Sequence, residues 1–424
     1  MPLAPFSVRL LLSAVLLALF PPPAHAQRLA TLTVTLDAAV PEQGVPVSAE
    51  LALPALPADA ALGLSEVGGA VRAPVPMQVT SGATARIHWL VLPRADGSTH
   101  RVYELARITA PSGAVAPAMS IADADGVLTL RSGERESLGY RHGLQAPPEG
   151  VAAAFARSGF IHPLRAPHGQ VLTRIQPADH YHHFGLWAPW THVEFEGREV
   201  DFWNLGDRKG TVRFARFEGV VAGPVFAEYR AEQEHVVLLP GGGEKVALRE
   251  VQEVRLHRSP VADSYLFDLT IRLRCAGTSP VRLLEYRYGG LGWRTTEEWN
   301  RTNSEVLTSE RRTRREADGS KARWCLVQGE VDGGEDYAGA AWLNHPENFN
   351  SPAPLRVWPE DQNGRGDLFV NFAPTKDRDW LIEPGREYVL RYRFVVFNGH
   401  RGADMPEAAW HHFAKPPMVQ GKME

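Results

Sequence analysis

The chain has 424 residues, a formal net charge of -4 and two cysteines, Cys275 and Cys325. That length is enough for two or three domains and a large core. Charges of both signs are interspersed, which speaks against nucleic acid as a partner, and two cysteines are too few for a disulfide framework or a CxxC-type zinc site.

Residues 1–26 read as a secretory signal. Arg9 supplies a positive start, Leu10 to Phe20 an apolar stretch, and Ala24-His25-Ala26 a small-residue cleavage site. The stretch is too short to span a bilayer comfortably, and no later segment reaches the necessary length. The expected location is periplasmic or secreted.

Residues 27–117 read as a small β domain. Leu29–Leu36, Val47–Leu53, Ala85–Leu92 and Val102–Ile108 alternate or run apolar, with Pro and Gly between them. Short strands at this spacing suggest an immunoglobulin-like sandwich. The run Pro111–Pro117 reads as a linker. Residues 118–424 read as a second, larger β domain. Strands are expected at Gly126–Arg131, Leu138–Leu144, Thr211–Phe217, Val225–His235, Glu244–His257, Tyr265–Arg274, Val281–Tyr288 and Glu387–Phe397. Strands of ten or more residues imply broad, twisted sheets. Gly241-Gly242-Gly243 and Ala317–Ser320 read as hairpin turns, and Arg311–Arg315 as the solvated face of a hairpin. Met405–Lys415 is the one expected helix, capped by Asp404.

The stretch Ser158–Asn204 differs from the rest. It holds six histidines, at positions 162, 168, 180, 182, 183 and 192, together with Trp187, Trp190, Trp203, Asp179, Glu194 and Asp201. Imidazole titrates near neutrality and ligates metals, so such a cluster is a candidate site on chemistry alone. In an extended segment His180 and His182 would share one face, with Asp179 or His183 supporting them from behind. Trp187 and Trp203 are candidates to cover a sugar ring, and Trp190 is expected in the core.

The motifs Gly159–Leu164, Asp179–Trp187 and Asp201-Phe202-Trp203, with Gly289–Arg294 and His345–Asn348, carry a family resemblance. The chain resembles a bacterial family labelled "methane oxygenase PmoA", over most of residues 118–400. The resemblance implies an exported all-β protein, with a large twisted antiparallel supersandwich similar to galactose mutarotase, and a setting of carbohydrate breakdown.

The reading that follows is an exported carbohydrate-active enzyme working by His/Asp acid–base chemistry: glycoside or keto-sugar cleavage, elimination or epimerisation. Asp179, His180, His182 and His183 are the expected catalytic residues. His162, Trp187, Trp203, Arg294, His345 and Asn348 are expected to bind the substrate, a small molecule or oligosaccharide. A divalent metal at the histidine cluster is the candidate cofactor. The alternatives are a non-catalytic carbohydrate-binding protein and a metal-dependent oxygenase, as the family label suggests.

Overall fold

The computed structural model describes residues 27–53, 60–68, 71–80, 84–109 and 118–424. The expected signal (1–26) and linker (111–117) lie outside the described residues. The architecture is all-β and antiparallel throughout its strand ladders.

The first unit packs a five-stranded sheet on a three-stranded one. Gln27–Thr35, Val45–Leu51, Ala85–Val91 and His100–Thr109 form where alternation placed strands. Their inward residues, among them Leu32, Val34, Val47, Ile87, Trp89 and Leu105, make one apolar core. The end of the chain was expected in the second unit. Instead Met418–Met423 pairs along Gln27–Thr35, from Ala30 against Met423 to Thr35 against Met418. The first strand would otherwise present an unpaired edge, which the last strand covers.

The second unit is a sandwich of two eight-stranded sheets with a small four-stranded sheet beside them. One large sheet holds the long strands Gly210–Ala222, Phe226–Leu238, Glu244–His257, Ser264–Cys275 and Tyr388–Asn398. Gly241–Gly243 turns one hairpin, as expected. The other sheet carries Phe160–Leu164, Leu186–Trp187, Gly292–Arg294 and Phe369–Phe372 as neighbours. Ile161, Leu186, Trp293 and Val370 stand in register across these strands and all face the sandwich core. They meet Tyr229, Phe267, Leu269 and Phe394 of the first sheet. Because side chains alternate, Phe160, Trp187, Arg294 and Phe369 must face outward. Three of these build a second, separate aromatic cluster, Phe160, Trp187 and Phe369 joining Phe184, Trp203 and Trp358.

Asp404–Ala414 is helical, close to expectation, but Ala403 precedes it and no side-chain cap bond forms. Asp404 is the first residue of the helix, where its charge still suits the positive end of the dipole. The helix packs on the outer face of the long-stranded sheet through Phe413 and Ala409. It also joins the two units, His411 Nε2 lying 2.7 Å from Asp37 and His412 Nε2 2.9 Å from the Ala39 carbonyl. Across the junction Gln78 Oε1 accepts from the Val225 and Phe226 amides at 3.1 and 3.0 Å. Cys275 and Cys325 are unpaired.

Two histidines outside the cluster tie stability to pH. Burial lowers His162 to about 4 and, assisted by Arg255 and Arg86, His88 to about 3. An unfolded imidazole protonates near 6.5, so between that pH and about 4 the unfolded chain holds protons the fold refuses. Their contribution to stability is full above about pH 6.5 and is lost as pH drops. Urea melts at pH 7 and 4.5 should show that loss, and His162→Gln should remove on the order of 2 kcal/mol of it. An unchanged acid slope in the variant would refute the assignment.

Candidate functional site

The segment from Pro177 to His183 does not form the extended strand that its sequence suggested. His180 N–H donates to the Pro177 carbonyl at 2.9 Å, and His183 N–H to the His180 carbonyl at 3.0 Å. Two successive turns replace the strand, closed by a Gln176 amide to His183 carbonyl bond at 2.8 Å. Proline at 177 has no N–H to give a strand ladder, which weighs against an extended pairing there. The turns bring all three imidazoles to one place. His180 stacks on His183 with centroids 4.7 Å apart, and His182 stands edge-on to them at 5.4 and 4.8 Å. One nitrogen from each lies within 4.8 Å of the others. Gly185 then passes the chain into the sheet at φ +63°, where a Cβ would collide with the Ile161 carbonyl.

Behind the imidazoles lies an ionic network. Asp179 Oδ2 sits 2.8 Å from His180 Nδ1. Arg294 Nη2 donates to both Asp179 oxygens at 3.1 and 2.9 Å and to Asp367 at 3.2 Å. Asn363 Nδ2 donates to the same two carboxylates at 2.7 and 3.0 Å. Burial opposes ionisation of Asp179, but His180 and Arg294 outweigh it and hold the carboxyl well below the usual range. Arg294 was expected to bind substrate. Its side chain is 1% exposed, with the guanidinium 4.7 Å over the Trp358 ring, so it serves Asp179 rather than a ligand. With Nδ1 turned to the carboxylate, His180 offers Nε2 as its free nitrogen.

The segment 358–367, which supplies Trp358, Asn363 and Asp367, is fastened from below. Arg314 donates to the carbonyls of Trp358, Pro359, Gly366 and Asp367 at 2.8–3.1 Å. The arginine run was expected to be a solvated hairpin face. Arg314 is buried in a short helix, Arg314–Ala317, because four carbonyls need a donor there.

Above this network is a cleft of about 160 Å³, lined by the three histidines with Trp203, Trp358 and Tyr288. His183 is 2% exposed and lies between Phe369, Trp187 and Trp358 at 5.0–5.4 Å. Burial keeps His183 well below the ordinary imidazole range, and burial with the nearby His180 lowers His182 to about 4. Both are therefore neutral at pH 7. Trp203 lines the cleft, while Trp187 lies fully buried beneath it, packed on Trp203 at 4.9 Å. Trp190 is in the core, as expected. The glycines before Arg294 make room for rings: a Cβ on Gly290 would meet Trp190, and one on Gly292 would meet Trp203 and Phe369. Aromatic side chains fill the space beside these glycines.

Three expected substrate-binding residues stand away from the cleft. His162 does not line it, and its Nδ1 lies 2.9 Å from Thr173 Oγ1. His345 and Asn348 follow a strand of the opposite sheet. His345 meets Phe413 edge-on at 5.1 Å, and Asn348 spends its amide on Asn344 and the Arg391 backbone. Of the other histidines of the stretch, His168 pairs with Asp336 and Asp263. Asp201 caps a turn, accepting from the Trp203 and Asn204 amides. Sequence reasoning missed Trp358, Asn363 and Asp367, as well as the cleft wall Tyr286-Arg287-Tyr288. The aromatic-basic pattern of that wall was the available signal.

The chain belongs to the family described as DUF6807, a family of unknown function, which matches residues 127–411 and so covers the whole cleft. No curated protein matches the chain. Among solved structures it is similar to an alpha-mannosidase from Enterococcus faecalis V583, with 10% identity and a TM-score of 0.44 over 93% of this chain and 46% of that one. A protein in the Glycosyl Hydrolase Family 38 from Enterococcus faecalis is similar at 10% identity and a TM-score of 0.43, over 93% of this chain and 47% of that one. The chain thus spans less than half the length of either.

The ionic network predicts an asymmetry between its members. Arg294→Met leaves Asp179 and Asp367 facing each other without their shared cation, a loss of about 3 kcal/mol by urea unfolding at pH 7. Asp179→Asn keeps an acceptor for Arg294 and should cost about 1 kcal/mol. Equal losses would show that the arginine is not the network's centre.

Proposed function

We propose that this protein is a carbohydrate-active enzyme that moves a proton through the Asp179–His180 pair. One observation carries the reading: the carboxylate fixes Nδ1 of His180 at 2.8 Å, is itself held by Arg294, and leaves Nε2 free on a residue that lines an aromatic-walled cleft. A carboxylate behind an imidazole sets its tautomer and orientation, as a general acid–base needs. Trp203, Trp358 and Tyr288 offer flat faces to the C–H surface of a sugar ring, while Thr191 and Asn204 offer partners for hydroxyls. The chemistry within reach is glycoside or keto-sugar cleavage, elimination or epimerisation. The reading of residues 1–26 as an export signal places this activity in the periplasm or outside the cell.

The test is a screen of oligosaccharides and keto-sugars with protein beginning at Gln27. Asp179→Asn should lower kcat by about 100-fold or more while the far-ultraviolet spectrum stays native. If no sugar is turned over and His182→Ala leaves sugar binding unchanged, the enzyme reading is lost. Binding without turnover would favour a non-catalytic carbohydrate-binding protein.

A second observation favours a divalent metal at the same cluster. His180, His182 and His183 each offer a nitrogen within 4.8 Å of the others, and Nδ1 of buried His183 has no hydrogen-bond partner. Neutral imidazoles suit zinc and other first-row ions, and a carboxylate on the far nitrogen of a ligand is the usual support. A bound ion would polarise a substrate oxygen, with His180 as ligand and Asp179 orienting it. Metal analysis of protein purified without an affinity tag should find about one equivalent, lost in His182→Asn. Near-stoichiometric copper or iron would support the alternative of a metal-dependent oxygenase. Metal-free protein that takes up no zinc, copper or iron on dialysis removes this reading.

A further inference from the structure

The charge around the cleft is unbalanced in one direction. Asp179 and Asp367 are taken by Arg294, and Asp367 also by Arg365 at 3.1 Å. Asp379 faces Arg282 at 3.7 Å, and Asp318 holds Arg356 and Lys376 at 3.1 Å each. Among the described residues no carboxylate lines the cleft, whereas the guanidinium of Arg287 does. Glu285, two positions from Arg287, is exposed and forms no ion pair among the described residues.

Arg287 differs from the arginines around it. It is exposed and makes no ion pair or side-chain hydrogen bond among the described residues. Its guanidinium carbon sits 5.8 Å from the Tyr286 ring centre and 5.4 Å from that of Tyr288. Contacts of this kind hold a guanidinium through its flat face and leave its donor edge free. Tyr288 is itself fixed, its hydroxyl accepting from Trp358 Nε1 at 3.0 Å and from Arg356 at 3.3 Å. A free planar fork on a fixed aromatic wall matches the geometry of a carboxylate, which it binds bidentately.

We propose that the substrate is an acidic sugar, a uronate, whose carboxylate is bound by Arg287. The proposal rests on the carbohydrate reading above and narrows it. A cleft of about 160 Å³ places Arg287 and His180 on the same ring-sized group. The carboxylate acidifies the C–H beside it, and binding to Arg287 stabilises the charge that forms when that proton leaves. The reaction this favours is β-elimination. The C5 proton passes to an imidazole, the C–H electron pair becomes the C4=C5 double bond, and the C4–O bond breaks. The departing oxygen takes its electron pair and collects a proton from solvent. No oxidant or reductant is consumed.

The test is calorimetric titration of protein beginning at Gln27 with methyl glucuronoside, its methyl ester, methyl glucoside and a sulfated glucoside, each also with Arg287→Gln. The glucuronoside should bind at least about tenfold more tightly than its ester or the glucoside, the free energy of one exposed charge-assisted bond. Arg287→Gln should abolish that difference and leave the neutral sugars unchanged, and Arg287→Lys should restore it in part. A 4-linked uronate oligomer should gain the ultraviolet absorbance of a conjugated unsaturated carboxylate. Equal binding of acid and ester overturns the charge inference and leaves the carbohydrate reading standing. Tighter binding of the sulfated sugar overturns the choice of carboxylate. Binding of no sugar, acidic or neutral, overturns both.

Discussion

The arrangement of the site depends on one buried cation. Arg294 lies on an internal strand, nearly closed to solvent, and burying a guanidinium is costly unless carboxylates meet it. Asp179 arrives from the turns that carry the histidines. Asp367 arrives from the far end of the segment that carries Trp358. Each acid is pinned by the same charge, so two segments almost two hundred residues apart converge on one point. The orientation of His180 follows, because the carboxylate that satisfies Arg294 also binds Nδ1. Structural and chemical demands thus fall on the same side chain, Asp179.

The sheet beneath explains why the site sits where it does. In register across four strands, Ile161, Leu186, Trp293 and Val370 face the sandwich interior. The residues next to them cannot, since a strand turns alternate side chains to opposite faces. An outer face bearing Trp187, Phe369 and Arg294 would be a poor surface in water. It is covered instead by Phe184, Trp203 and Trp358, and the imidazoles rest on that cover. The cleft is the incompletely filled part of this second, smaller core. Arg314 belongs to the same construction, since it supplies donors to carbonyls that the covering segment leaves buried.

The two units are joined by more than the chain between them. The final strand returns to the first sheet, and the helix before it is bonded to Asp37 and Ala39. Glycine at 223 allows the approach of Gln78, which a Cβ would meet at 2.5 Å. Among the described residues, the first unit contributes no side chain to the cleft. Its contact is with the long-stranded sheet, whose outer face also carries the C-terminal helix.

Much of the fold was legible in the chain alone. Alternation over most of Glu244–His257 specifies a strand, because a half-buried ladder needs that period. The density of histidine and tryptophan in 158–204 marked the place of the site for the same local reason. What lay beyond reach were choices made between distant segments. Asp179–His183 reads as extended by composition, yet Pro177 and two local hydrogen bonds curl it into turns. Arg294 reads as a ligand-binding arginine after a glycine-rich strand, but its partners come from positions 179 and 367. His345 and Asn348 form an inviting motif that belongs to the opposite sheet. Local pattern settles which residues can be buried and in what secondary structure. Which buried charge meets which carboxylate is decided only when the strands are stacked, because the energy that selects the pairing arises on burial.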